Sequence, residues 1–371
     1  MLVLARGQMS DDSANGLANL GNTCYLNSCI QVLLRCDGLN AYLDARGYEH
    51  WLKDKPDSLI LVEWDNLRRL MQSHTNSTIA PKAFLRAVQK VAEYKDRDIF
   101  TGRMQNDMPE YLLFFMDCIH TAVSREVDMR ITGTEMNAVD HVATLGYQSL
   151  KTIFERDYSE MISLFYCMNV TLLNEVDCPA DEVLTNTLSI KCDPVFMVDA
   201  PLPLDVLQRR QERGEPMRVT MDECMQAYCN EEVLTGEDGW WNEKTGRKQD
   251  VKRRTMFWSL PEYLIVDIKR FTNRMQKINV PVDVPLRDVD FSRYICGYDR
   301  TKYVYDVYGV IMHMGGVHGG HYVCNVRGTD GIWRQMNDTH VMVIDEADVI
   351  DASAYCIFYK RIGRVDRAHC T

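Results

Sequence analysis

Apolar residues change their rhythm once along this chain, and that change constrains the fold more than any other feature. In the first part they recur at helical spacing. Leu26, Ile30, Leu33 and Leu34 follow a Gly-Asn-Thr turn, residues 59–71 and 81–94 continue the pattern, and Leu112, Phe115, Met116, Ile119 and Val123 form one stripe. Ahead of that stripe, Asp107-Met-Pro-Glu110 reads as a capping box, with Asp107 at the N-cap and Glu110 three residues on; Pro109 is tolerated in a first turn. In the second part the apolar runs are short, β-branched and aromatic, at 263–271, 303–312, 321–327, 332–336 and 355–359. Helices first and strands after them predict an α+β fold, not a doubly wound sheet. Residues 167–258 are less regular, and 208–215 and 242–254 read as charged, exposed loops. No internal repeat and no low-complexity tract is present.

Composition narrows the function classes. The 371 residues suffice for one large domain or two ordinary ones. Against 42 Lys+Arg stand 53 Asp+Glu, a net charge of −11, which argues against a nucleic-acid partner. No apolar run approaches the ~18 residues of a membrane span, so no membrane is expected. Residues 1–15 have a short apolar start before Arg6 but no apolar core with a cleavage site, so no signal peptide is expected. The 13 cysteines are scattered and never spaced Cys-x-x-Cys. They read as reduced thiols of the cytoplasm or nucleus.

One cysteine stands apart. In Gly16-Leu-Ala-Asn-Leu-Gly-Asn-Thr-Cys24, the thiol follows a glycine turn and opens a helix. Unpaired amides at a helix start favour a thiolate and can hold an oxyanion, and Asn19 offers a further donor. The base expected for it is His321, preceded by Gly315-Gly-Val-His-Gly-Gly320; His318 and His313 are rivals. A hairpin through 328–331 that sets Arg327 opposite Ile332 brings Asp338 opposite His321, and a shift of one residue brings Asn337 there. Either could orient the imidazole.

These residues together resemble a known family, the ubiquitin-specific proteases. Residues 16–28, Gly-Leu-Ala-Asn-Leu-Gly-Asn-Thr-Cys-Tyr-Leu-Asn-Ser, are similar to the family's cysteine box. Gly-Gly-His321-Tyr, Trp333, Asn337-Asp338-x-x-Val341 and Ala354-Tyr355-x-x-Phe358-Tyr359 are similar to its histidine box. Gln105-Asn-Asp107-x-x-Glu110-Tyr-Leu and Leu260-Pro261 with Ile268-Lys-Arg-Phe271 match two segments between them. The resemblance runs from Gly16 to about Arg361. It implies a papain-like cysteine protease fold, with a helical thumb (about 16–160), β fingers (about 161–258) and a β-sheet palm (about 259–361), between an extension at 1–15 and a tail at 362–371. It implies hydrolysis at the C-terminal glycine of ubiquitin, with Cys24 as nucleophile, His321 as base, Asn337 as third member and Asn19 as oxyanion donor. It also implies that Asp107 and Phe271 line the groove for the ubiquitin tail. A weakly catalytic ubiquitin-binding scaffold and a protease for another ubiquitin-like modifier are the alternatives. The expected partners are ubiquitin and ubiquitinated proteins, with an activating protein left unspecified.

Many members of that family bind zinc through two Cys-x-x-Cys pairs. The corresponding positions here are Cys178, Asp181, Asn242 and Thr245, so no metal and no cofactor is expected. The fingers must then be held by packing, for which Leu164, Phe165, Trp240, Trp241 and Trp258 are candidates.

Overall fold

The computed structural model describes residues 14–102, 104–316 and 319–363. Its described residues divide into two interleaved units, one from the stretches 14–123 and 308–353 and the other from 124–307 and 354–363.

In the first unit, the helix Cys24–Leu33 is buried along its whole length. Its apolar residues make the core, and its polar ones find partners: the Gln31 amide donates to the carbonyl of Asn15 at 2.7 Å. Around it stand the helices Asp37–Asp44, Asp57–Ser73, Lys82–Tyr94 and Met108–Val123. Trp64, Phe84 and Phe115 meet there with ring centroids 5.3–6.0 Å apart, a spacing that favours edge-on contact. An antiparallel sheet runs in the order His340–Val343, Trp333–Asn337, Gly319–Arg327 and residues 309–316 of the strand Val304–Gly316. The first helix packs on this sheet. Gly309 makes that possible, since a Cβ there would lie 2.8 Å from Cγ1 of Val32.

The second unit holds a four-stranded antiparallel sheet in the order Thr187–Val195, Cys167–Asn174, Val251–Ser259, Glu231–Leu234. The helix Ala138–Phe154 covers it through a core of Val142, Met168, Val170, Leu172 and Trp258. A further sheet joins Ala354–Arg361 to Tyr263–Lys269 antiparallel and Tyr263–Lys269 to Val198–Pro201 in parallel. Helices and strands thus combine as α+β. Among the described residues no helix is long and apolar enough to cross a membrane, and no disulfide forms.

Three expectations are corrected. Residues 208–213 belong to the helix Leu204–Arg213. Only Leu207 is buried in it, so it shows no apolar stripe; Arg209 bonds Asp205 one turn back instead. Residues 242–254 are largely strand, at Trp240–Asn242, Arg247–Gln249 and Val251–Ser259. Their charges pair across the sheet, Arg253 opposite Glu232 and Arg254 opposite Glu231. Trp241 is 56% exposed and no part of an apolar core, whereas Leu164, Phe165 and Trp258 are buried.

Candidate active site

The residues singled out around Cys24 all fall within the first unit. The approach to the helix is built by a polar turn. Asn19 Oδ1 accepts from the backbone N–H groups of Gly21 and Thr23 at 3.0 and 3.1 Å, and Thr23 Oγ1 accepts from Leu20 N–H at 2.9 Å. Gly21 at φ 109° and Asn22 at φ 54° supply the left-handed backbone this reversal needs. The helix then begins at Cys24 itself, as expected, which leaves first-turn amides without partners inside the helix.

The thiol does not have the depressed pKa expected of that position. Cys24 is 4% exposed. Burial pushes its thiol above the usual range and the charge of Asp338 adds to the rise, against hydrogen bonds from the backbone N–H groups of Tyr322, Tyr25 and Cys24. Desolvation therefore outweighs the helix start. The helix that Cys24 opens packs on the strand that carries His321.

His321 is half-buried near the start of the strand Gly319–Arg327. Its Nε2 lies 2.8 Å from Oδ1 of Asn337. An amide oxygen only accepts, so Nε2 donates in this bond, and in the neutral ring the lone pair is then on Nδ1. Neither expected hairpin register forms: the pairing is shifted by one residue from the first, in the direction away from the second. Arg327 pairs with Trp333, and Cys324 with Met336, because Ile332 stays in the turn, its N–H donating to Asp330 and its carbonyl accepting from Gly328. Asn337 then shares a sheet face with His321 and reaches it diagonally.

Asp338 has a separate position. At φ 51° it turns away from the strand. Its Oδ2 accepts from Asn19 Nδ2 at 2.9 Å and its Oδ1 from Asn27 Nδ2 at 2.8 Å. Its carbonyl accepts from Leu17 N–H at 2.7 Å. Asn19 therefore shapes the turn with its oxygen and faces Asp338 with its nitrogen.

Asp107 immediately precedes the helix Met108–Val123, and its carboxylate accepts from the Tyr322 hydroxyl at 3.0 Å. Phe271 lies in the second unit, its ring 6.2 Å from that of Tyr355. His313 is buried with its ring 4.5 Å from that of Tyr322. His318 lies outside the described residues. Two neighbours had no role assigned from sequence. Gln105 makes reciprocal bonds to Gly320, accepting from its N–H at 2.7 Å and donating to its carbonyl at 3.0 Å, which fixes the backbone just before His321. Asn27 is the other. It lies three residues after Cys24 and so on the same face of the helix, a spacing that could have marked it.

At the family's zinc positions, Asn242 donates to Gln249 Oε1 at 2.8 Å and accepts from Lys244 N–H at 2.9 Å. Amide bonds close that hairpin. Among the described residues one group has the spacing of metal ligands, Asp57, Asp117 and Cys118. The Lys95 ammonium already sits 2.7 Å from both carboxylates.

A thiol at a helix start, an imidazole and an amide behind the imidazole are the groups that nucleophilic thiol chemistry uses. Residues 15–359 match the family model described as ubiquitin carboxyl-terminal hydrolase, and the chain belongs to that family. It is 30% identical to human ubiquitin carboxyl-terminal hydrolase 2 over 373 residues, covering 96% of this chain and 57% of the relative. It is 27% identical to ubiquitin carboxyl-terminal hydrolase Usp2 of Drosophila melanogaster, covering 93% of this chain and 34% of that protein. The chain thus spans little more than half the length of the first of these relatives. Among solved structures, the SAGA DUB module bound to monoubiquitin has a similar fold, with a TM-score of 0.69 at 18% identity, covering 96% of this chain and 70% of that one.

Proposed function

We propose that this chain is a thiol-dependent deubiquitinase that hydrolyses the peptide or isopeptide bond at the C-terminal glycine of ubiquitin. One observation carries it: the helix that Cys24 opens packs on the strand of His321, whose ring is fixed by Asn337 with Nδ1 left as the base. His321 Nδ1 takes the thiol proton as the sulfur attacks the glycine carbonyl. The first-turn amides and the second N–H of Asn19 Nδ2 face the developing oxyanion. The imidazolium then protonates the leaving lysine amine, which leaves a thioester. Water, deprotonated by the same imidazole, attacks the thioester and frees the carboxylate and the thiol. A raised thiol pKa makes this proton transfer necessary, since little thiolate exists without it. Asp107 and Phe271 are assigned to the ubiquitin tail on the family resemblance. The free cysteines suit a reducing compartment, cytoplasm or nucleus.

The test is hydrolysis of ubiquitin bearing a fluorogenic C-terminal amide, alongside the same amide on other ubiquitin-like modifiers. The wild-type chain is expected to cleave the ubiquitin conjugate and to be labelled at Cys24 by ubiquitin with a C-terminal electrophile. Cys24→Ser should abolish turnover while ubiquitin binding persists. Near-wild-type turnover in that variant would overturn the assignment, and preference for another modifier would overturn the substrate. Asn19→Ala should lower kcat by ~10²–10³ and leave KM nearly unchanged.

A further inference from the structure

Resting on that thiol chemistry, we infer that Asn27 is a positioning residue that aims the oxyanion donor Asn19 through the carboxylate of Asp338. Asn27 is 3% exposed and lies on the first turn of the helix that Cys24 begins. Its Nδ2 donates to Asp338 Oδ1 at 2.8 Å and to the Ala18 carbonyl at 3.4 Å. The other carboxylate oxygen, Oδ2, accepts from Asn19 at 2.9 Å. Asp338 is thus a bridge with one asparagine on each oxygen. Asn27 holds both the bridge and the backbone next to Asn19.

The arrangement is not one that stability alone would select. The Oδ1 of Asn27 is buried and, among the described residues, has no partner. A buried amide with one end unpaired is disfavoured relative to an apolar side chain of the same size. Such departures concentrate where function constrains the residue. The orientation that leaves the oxygen unpaired is the one that gives both donors acceptors. It also fixes Asp338, the residue after Asn337, whose amide stands behind His321. Sequence adjacency and two hydrogen bonds thereby tie donor, nucleophile and base to one buried amide.

The test measures kcat and KM for Asn27→Ala, Asn19→Ala and the double variant, each rate normalised to the active fraction titrated with an electrophilic ubiquitin. Asn27→Ala is expected to lower kcat about tenfold with KM unchanged, the size of losing one hydrogen bond to a charged group. In the Asn19→Ala background it should cost almost nothing more, because residues acting through one another are non-additive. Asn27→Asp, isosteric but without donors, should be at least as slow as Asn27→Ala, and the exchange Asn27→Asp/Asp338→Asn should recover part of the rate. A second readout is independent of turnover: the side-chain amide resonance of Asn19 should shift in Asn27→Ala as it does in Asp338→Ala. Additive losses, a loss confined to KM, or an unmoved Asn19 resonance would overturn the inference. Absence of turnover in the wild-type chain would instead defeat the proposed function, and the resonance would still decide the role of Asn27.

Discussion

Cys24 shows how two effects on one residue are ranked. Its place at a helix start favours the anion by a few tenths to ~1 kcal/mol. Burial acts the other way, and the net direction is upward. A thiol with a raised pKa stays protonated below that value and ionises only as the pH climbs through it. In His321→Ala, with the base removed, alkylation of Cys24 by iodoacetamide should therefore follow a titration above the ordinary thiol value of ~8.5. Adding Asp338→Asn removes a charge that raises the pKa, so the midpoint should move to lower pH. Mass spectrometry of the Cys24 peptide reads both; a midpoint below ~8.5 in His321→Ala would contradict the ranking. At this scale much was legible. Cys24 and His321 stand in motifs, and Asn19 in the turn before the helix. The choice between Asn337 and Asp338 was not legible, because it hung on whether Ile332 belongs to the strand or the turn. Two hydrogen bonds made by Ile332 and the backbone reversal at Gly331, φ 80°, settle it for the turn.

Elements rich in apolar residues at helical or strand spacing could be read directly, among them Lys82–Tyr94, Met108–Val123 and the strands from Tyr263 onward. The helix Leu204–Arg213 was hidden because its stability comes from charge pairs and one buried leucine. The strand Val251–Ser259 was hidden because Arg253 and Arg254 find their partners only across the sheet. Two short elements invite tests. The strand Gly16–Leu17 touches the turn after Asn337 so closely that a Cβ on Gly16 would lie 2.5 Å from the Thr339 carbonyl oxygen. Gly16→Ala should destabilise the protein by about 1–3 kcal/mol in chemical denaturation. It should also lower kcat, since Asn19 and Asn337 are displaced together; an unchanged kcat would show the contact to be dispensable. The hairpin Trp240–Asn242 with Arg247–Gln249 is closed by the Asn242 amide. A strong chelator should leave both Tm and hydrolysis rate unchanged, and stoichiometric zinc in elemental analysis would contradict this.

For the molecule as a whole, the two units are each assembled from separated stretches of chain. A cut inside the second unit therefore leaves both stretches of the first one intact. The exposed turn at residues 243–246 is a natural site for such a nick. After limited proteolysis there, the fragments should co-elute under native conditions and Cys24 should keep its alkylation rate; separation of the fragments or a changed rate would show that the first unit depends on continuity of that hairpin. The α+β class was legible from the order of elements alone. The interleaving was not, because it rests on pairings between residues hundreds of positions apart.

That same interleaving has a bearing on how the protein is made. The helix that Cys24 opens emerges from the ribosome well before the sheet that covers it, with nearly all of its surface destined for burial. The strand with His321 follows roughly 300 residues later, about 15–60 s at ~5–20 residues per second. Throughout that interval the nascent chain holds the Cys24 thiol without His321, on a helix with no sheet to cover it. Synthesis thus separates thiol and imidazole in time, and makes the uncovered helix a client for whatever shields apolar surface at the exit tunnel.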